Sequence, residues 1–194
     1  FERYGKGDVL DAMSDLLDYS ERMMLHELKS LPKGVFEAKD QIDEDGQGNG
    51  PFKIKVKVTI TDDQFLVDFT GSAEQAQGPI NVSPLALSSA VRCVYHAVTN
   101  HSVPANAGTF RPLEYICPEG TVFSARRPAP VSTYYEGMAH AVELVWKALA
   151  PHLPDRLTAG HMVSTCVTII SGLHPDTHNF FVYVETLPGG WGAG

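Results

Sequence analysis

The sequence is poor in positive charge and contains no long apolar run. Its 194 residues include 15 Lys and Arg against 23 Asp and Glu, so the net charge is −8 with neutral histidines. Binders of duplex nucleic acid or of anionic membranes need clustered Lys and Arg, so neither partner is expected. The longest uncharged apolar stretch, residues 162–173, is shorter than the roughly 18 residues that a membrane-spanning helix needs. The first thirty residues carry charges throughout and lack a signal-peptide core, which favours a cytoplasmic location.

Cysteine and the common catalytic motifs are also scarce. Cys93, Cys117 and Cys166 are far apart and form no CxxC pair, which excludes a zinc ribbon. Their apolar neighbours predict buried, reduced thiols of a cytosolic protein. The chain has no GxSxG elbow, no GxxxxGK[ST] phosphate loop and no HExxH zinc motif. Composition and pattern therefore indicate a globular domain without indicating a reaction.

What the sequence does contain is a regular alternation of helical and strand patterns. Apolar residues make up 43% of the chain, enough for a core. Apolar spacings of three and four predict helices over 8–30, with Asp8 as its N-cap, over 85–98 and over 138–149. Period-two alternation predicts strands over 52–60, 65–69, 163–170 and 179–185, with one or two short strands in 111–124. Because neighbouring strands pair mostly with each other, the expected class is α+β, with antiparallel strand pairs and packed amphipathic helices.

A few polar residues are candidates for chemistry. Glu136 lies beside tyrosines and Glu185 on an apolar strand, where desolvation would suit a general acid or base, although both could be surface glutamates. Gly189 and Gly190 open a glycine-rich segment whose backbone N–H groups could approach an anion, or which could be a plain turn. The segment from His174 to His178 contains Pro175 and predicts an exposed hairpin tip without metal.

The two ends of the chain suggest that it is a central fragment of a larger, multi-domain subunit. The sequence opens on Phe1 and closes inside the glycine-rich segment 189–194. We therefore expect exposed apolar surface on helix 8–30 and near Trp191, where further segments would pack. A sub-boundary is possible in the loop at 71–80.

Read in order, the short motifs resemble the hydantoinase B/oxoprolinase family over almost the whole chain. The motifs that carry the resemblance are Arg3-Tyr4-Gly5, Asp18-Tyr19-Ser20-Glu21, Val67-Asp68-Phe69-Thr70-Gly71-Ser72, Gly78-Pro79-Ile80-Asn81, Asn106-Ala107-Gly108, Pro118-Glu119-Gly120-Thr121, Pro128-Ala129-Pro130-Val131, Glu185-Thr186 and Gly189-Gly190-Trp191-Gly192-Ala193. Each motif is weak alone, whereas the full series in order is specific.

The resemblance implies a catalytic subunit that works with an actin-like hydantoinase A-type partner in a hetero-oligomer. The partner would bind ATP and phosphorylate the substrate, after which this subunit would hydrolyse a cyclic amide such as a hydantoin, a lactam or a 5-oxoproline-like ring. Two alternatives stay open: a subunit of an ATP-dependent acetone or acetophenone carboxylase, and a non-catalytic assembly portion. The segment Val131–Glu136 departs from the oxoprolinase pattern, which favours the hydantoinase-like or carboxylase-like branches over 5-oxoproline itself.

The resemblance also implies roles for particular residues. Asn81 and Asn106 match family segments and would bind the substrate together with Gly189 and Gly190, while Glu185 would be catalytic. Glu136, a second catalytic candidate, is proposed from its position beside the tyrosines and not from the resemblance. Glu185 would then have to lie near one of the two asparagines. Ligands for a divalent metal are expected upstream of Phe1, outside this fragment, which would be inactive alone.

Overall fold

The computed structural model describes residues 1–189, which form three α-helices and six strands in two sheets. The elements in chain order are α1 (Lys6–Ser30), β1 (Gly34–Ile42), β2 (Phe52–Ile60), β3 (Phe65–Asp68), α2 (Pro84–Val98), β4 (Leu113–Ile116), α3 (Tyr134–Leu149), a short 3₁₀-helix (Ala150–His152), β5 (Thr165–Leu173) and β6 (Phe180–Pro188). The predicted α+β class is confirmed.

The main sheet has the order β1-β2-β3-β4. Along β2 the apolar residues Ile54, Val56 and Val58 are buried and the intervening lysines are exposed, as the alternation predicts. Two features differ from the prediction. Strand β1 was not predicted at all, and β4 pairs with β3 in parallel rather than antiparallel orientation.

Helices α2 and α3 pack against this sheet. Helix α3 packs on β1, β2 and α2, and the core it helps to form is continuous across the loop at 71–80. Helix α1 begins at Lys6 with Gly5 at its N-cap, so the prediction of Asp8 as the cap was wrong. Its C-terminal half buries Met24 and Leu28, whereas its N-terminal half exposes apolar side chains, as predicted. The exposed side chains are Leu10, Met13, Leu16 and Tyr19.

Strands β5 and β6 form a separate antiparallel hairpin that runs from the Thr165–Pro188 pair to the Leu173–Phe180 pair. Large apolar side chains on both of its faces are exposed, among them Ile169 and Val184 on one face and Ile170 and Tyr183 on the other. The predicted turn at the tip is confirmed: the His174 N–H donates to the Asn179 carbonyl, and both histidines of the turn are exposed. The predicted apolar surface near Trp191 lies outside the described residues.

The prediction of buried thiols was wrong for the two cysteine side chains that are described. Cys93 is exposed on α2 and Cys117 is half-buried. Burial raises the pKa of the Cys117 thiol, and a hydrogen bond with Thr121 partly opposes that rise. Over residues 1–189, each helix is too short or too polar to cross a lipid bilayer.

Candidate functional site

Asn81 lies at the centre of a buried hydrogen-bond network formed by the loops that precede α2 and α3. Its side chain is fully buried, and its Oδ1 accepts the Ala76 N–H at 2.7 Å. Its Nδ2 donates to three carbonyl oxygens, those of Ala76, Gly78 and Pro130, at 2.9–3.0 Å. An amide has two N–H groups, so these three acceptors already exceed its donors. This arrangement suits a residue that positions loops, and it leaves no donor of Asn81 for a substrate.

Asp45 extends the same network from the acidic loop between β1 and β2. The buried carboxylate accepts the Gly78 N–H at 2.8 Å, the side-chain amide of Asn49 at 3.0 Å and two further loop N–H groups. Burial by itself would raise the pKa of Asp45, but the hydrogen bonds outweigh it and lower that pKa to about 2. A Cβ atom at Gly78 would overlap the Asp45 carbonyl, which explains why glycine stands there.

These loops fix the N-terminal end of α3. The Thr133 N–H and hydroxyl both donate to the Pro79 carbonyl, at 3.1 and 3.0 Å. One turn later, Gly137 packs so closely that a Cβ would lie 2.5 Å from a Val82 methyl group. The helix begins at Tyr134, four residues before the predicted start, and this places Glu136 in its first turn. The segment Gly78-Pro79-Ile80-Asn81 therefore supports the N-terminal end of α3, the end that carries Glu136.

Asn106 organises a different place, the docking of the loop 104–109 on α1. Its Nδ2 donates to the Ser20 hydroxyl at 2.8 Å, and its Oδ1 accepts the Gly108 N–H at 2.9 Å. A side chain at Gly108 would overlap the Leu17 carbonyl of α1. The backbones of the loop and of α1 are therefore in direct contact. This contact explains the motif Asn106-Ala107-Gly108, because the asparagine bonds to Ser20 and the glycine leaves room for the helix.

Glu136 faces the start of the β5–β6 hairpin. Its Oε1 accepts a hydrogen bond of 3.0 Å from the hydroxyl of Ser164, the residue immediately before β5. His140 follows one turn later on the same helix face; burial lowers its pKa, while the negative charges of Asp40, Glu136 and Asp43 oppose that change. A neutral imidazole beside a carboxylate can accept a proton and pass it on. Sequence analysis missed His140 and Ser164, although the spacing of 136 and 140 indicates one helix face once α3 is known to start at Tyr134.

Glu185 lies on the face of the hairpin opposite to the one that carries Thr165, Val167 and Thr186. Its carboxylate accepts a hydrogen bond from the Tyr183 hydroxyl, which raises the pKa of that tyrosine. Because side chains alternate along a strand, Glu185 and Thr186 point to opposite faces. Asn81, Asn106 and Glu185 each bond to a different part of the protein, so the described hydrogen bonds do not join them into one cluster.

A groove of about 350 Å³ lies between the first turn of α3 and the base of the hairpin. It is lined by Tyr135, Thr165, Val167 and Thr186. Its size falls within the range of small-molecule sites, and its lining combines an aromatic ring, a methyl-rich wall and two hydroxyls. At the end of β6, Gly189 packs against Met162 so closely that a Cβ would overlap that side chain. Gly190 lies outside the described residues.

The described residues do not fit a divalent metal. Within residues 1–189, no three His, Cys, Asp or Glu side chains lie close enough together to share an ion. Asp45, the most deeply buried carboxylate of the acidic loop, is surrounded by N–H donors instead. No step through a metal is therefore derived for this part of the chain.

Comparison with known proteins places this fold in a family. The chain is 29% identical over 203 residues to the B-type subunit of a putative D-/L-hydantoinase from Pseudomonas sp. strain NS671, covering 99% of this chain and 34% of that protein. The crystal structure of an ATP-dependent caprolactamase from Pseudomonas jessenii superimposes with a TM-score of 0.84 at 27% identity, over 93% of this chain and 31% of that one. A nucleotide-free acetone carboxylase has the same fold, with a TM-score of 0.75 at 14% identity, over 88% of this chain and 26% of that one.

The chain thus spans about a third of the length of the curated relatives it matches. The sequence profile of hydantoinase B/oxoprolinase matches residues 1–194. This match covers every motif of the series from the N-terminal helix to the glycine-rich end, so the chain belongs to the hydantoinase B/oxoprolinase family.

Proposed function

We propose that this chain is part of the catalytic subunit of an ATP-dependent enzyme that hydrolyses a cyclic amide, such as a hydantoin, a lactam or a 5-oxoproline-like ring. Its similarity to a B-type hydantoinase subunit and to an ATP-dependent caprolactamase supports the proposal. The observation that carries it is the groove at the base of the hairpin, which α3 borders beside the Glu136–Ser164 hydrogen bond.

The proposed partner is an actin-like, hydantoinase A-type subunit that binds ATP and phosphorylates the amide oxygen. An amide is a poor electrophile, and phosphorylation of its oxygen makes the ring carbon reactive towards water. The hydantoinase relative is named as one subunit of its enzyme, which supports a hetero-oligomer. The activity then belongs to the assembled complex, and we expect residues 1–194 alone to be inactive.

In this mechanism the substrate ring lies in the groove against Tyr135 and Thr186, and Glu136 is the general base. A water adds to the ring carbon of the phosphorylated amide while Glu136 takes its proton. Glu136 returns this proton to the ring nitrogen and then takes the hydroxyl proton of the addition intermediate. As the C=O bond forms and the C–N bond breaks, that second proton also passes to the nitrogen, which leaves an amino group and an acyl phosphate. A second water hydrolyses the acyl phosphate and releases inorganic phosphate and the open-chain amino acid. Neutral His140, whose pKa burial lowers, would relay protons between Glu136 and solvent.

The other candidate residues have supporting parts in the proposal. Asn81 and Asn106 hold the loops that position α3 and α1, and we propose no direct contact between them and the substrate. Gly189 and Gly190 would let the main chain approach the phosphoryl group at the end of β6. The proposed mechanism does not use Glu185, because its carboxylate lies on the face of the hairpin opposite Thr186. The catalytic role of Glu185 stays a prediction.

The test is the ATP-dependent turnover of the full-length subunit mixed with its partner. Hydantoins, caprolactam-like lactams, 5-oxoproline and acetophenone-like ketones are each incubated with ATP, and ring-opened product and carboxylated product are measured separately. We expect ring opening of a hydantoin or lactam. ATP-dependent carboxylation of a ketone without ring opening would contradict the proposal and favour the carboxylase alternative. Full activity of the remaining subunits without this chain would favour the assembly alternative.

A further inference from the structure

The segment Leu153–Ser164, here called the strap, connects the 3₁₀-helix to β5 and runs back along α3. Three α3 side chains hold it at successive points. The Trp146 indole N–H donates to the Thr158 carbonyl at 2.9 Å, Glu143 contacts His161, and Glu136 accepts the Ser164 hydroxyl. The order of contacts is reversed along the two segments, so strap and helix run antiparallel. The strap thereby determines where β5 begins relative to α3.

The central attachment is an ion-pair contact between two half-buried side chains. His161 Nδ1 lies 2.7 Å from Glu143 Oε2, and each side chain is only 23% exposed. Burial raises the pKa of Glu143; His161 and Lys147 oppose that rise, and Asp40 on β1 adds to it. These are the charged groups that face Glu143 from the strap, from its own helix and from the sheet.

Gly160 fits this attachment for two independent reasons. A Cβ there would lie 2.5 Å from the Glu143 carboxylate oxygen, and the backbone of Gly160 has a φ of +115°, which other residues adopt only with strain. The positive φ and the close approach to Glu143 both suit a glycine at this point of the strap. A half-buried contact of this kind adds little net stability compared with an apolar contact, so its effect is expected in the position of the strap rather than in the stability of the fold.

We propose that Glu143 is a positioning residue for the site on α3: through His161 and Gly160 it holds the strap, and so sets the distance between Glu136 and the base of the β5–β6 hairpin. This inference rests on the proposed function for its effect on turnover. Thr165 and Val167, which border the groove, follow directly on the strap. A strap that detaches from Glu143 would widen the groove while leaving Glu136 in place.

The test compares Glu143→Gln with wild type in the intact complex. Gln keeps the shape and removes the charge, and Glu114→Gln on the exposed edge of β4 is the matched control. Two readouts are taken: deuterium uptake of strap and β5 peptides, and the separate values of kcat and KM. We expect faster uptake confined to the strap and β5, a kcat/KM lower by ~10–100-fold with most of the change in KM, and unchanged partner binding. The control should match wild type in both readouts.

A double-mutant cycle with His161→Gln completes the test. If Glu143 acts through His161, the double variant should be no worse than the poorer single variant. Unchanged uptake in Glu143→Gln would overturn the inference whatever the turnover. Faster uptake with unchanged kcat/KM would overturn it as well, because the strap would then not position the site. A wild-type complex that turns over none of the amides would refute the proposed function, and the uptake data would still decide whether Glu143 holds the strap.

Discussion

Replacing Asn81 by Ala is the sharpest test of the loop network beneath α3. The substitution removes one acceptor and two shared N–H groups, and it leaves the Ala76 N–H and three carbonyl oxygens without their partner. An unsatisfied buried polar group costs about 1–3 kcal/mol, and water entering the space that the amide leaves recovers part of this. A local destabilisation of ~3 kcal/mol is therefore expected.

Native-state hydrogen exchange measures this quantity at the residue concerned. Because 1.4 kcal/mol corresponds to a factor of ten, the Ala76 amide should exchange ~100-fold faster in Asn81→Ala than in wild type. Asn179→Ala is the control, since Asn179 is exposed at the hairpin tip, and it should leave the exchange of Ala76 unchanged within a factor of about two. An Ala76 exchange rate in Asn81→Ala within threefold of wild type would refute the view that Asn81 positions these loops.

Three further predictions follow from the same structure. The pKa of Asp45 is about 2, against an ordinary value of 3.8, so the ionised carboxylate stabilises the folded state above pH ~4. This contribution is lost as the pH falls from ~4 towards 2. The stability difference between wild type and Asp45→Asn, measured by urea unfolding, should therefore shrink over that pH range and stay constant from pH 5 to 7. Gly108→Ala should lower stability by more than ~2 kcal/mol in urea unfolding because its Cβ would overlap the Leu17 carbonyl, whereas Gly7→Ala, in open space on α1, should raise stability by ~0.5–1 kcal/mol. Glu185→Gln should change turnover of the complex by less than threefold, because the carboxylate bonds to Tyr183 on the face opposite Thr186; a roughly hundredfold loss would instead show that Glu185 is catalytic.

The sequence predicts the periodic elements well, because their signal is local. The alternation of Phe52–Ile60 and the apolar spacing of the helices each lie within one short continuous stretch of sequence. Strand β1 lacks such a signal, since only Phe36, Ala38 and Ile42 of its nine residues are buried and its second half is polar. The parallel pairing of β4 is likewise invisible locally, because it depends on a long connection through α2.

The candidate site was harder to predict than the fold, because its contacts join residues distant in sequence. Asn81 bonds to Pro130 across 49 residues, and Gly78 to Asp45 across 33. Asn81 and Asp45 are polar residue types that usually lie on the surface. Their burial depends on hydrogen-bond partners that are distant in sequence, so a short sequence segment does not reveal it. In the structure the side chains of Asn81 and Asn106 hold loops by hydrogen bonds, and Glu136 contacts the start of the hairpin; the catalytic and binding roles of these residues stay predictions.

Glu136, presented by the first turn of α3 beside Ser164, is the residue that we propose for the proton transfers of an ATP-dependent amide hydrolysis. The most direct measurement is the turnover number of the assembled complex with ATP and its best cyclic amide, for wild type and for Glu136→Gln. We expect kcat to fall by roughly two orders of magnitude, the scale of a general base, with unchanged binding of the partner and unchanged ATP-dependent phosphorylation. A Glu136→Gln complex that turns over within threefold of wild type would contradict this proposal.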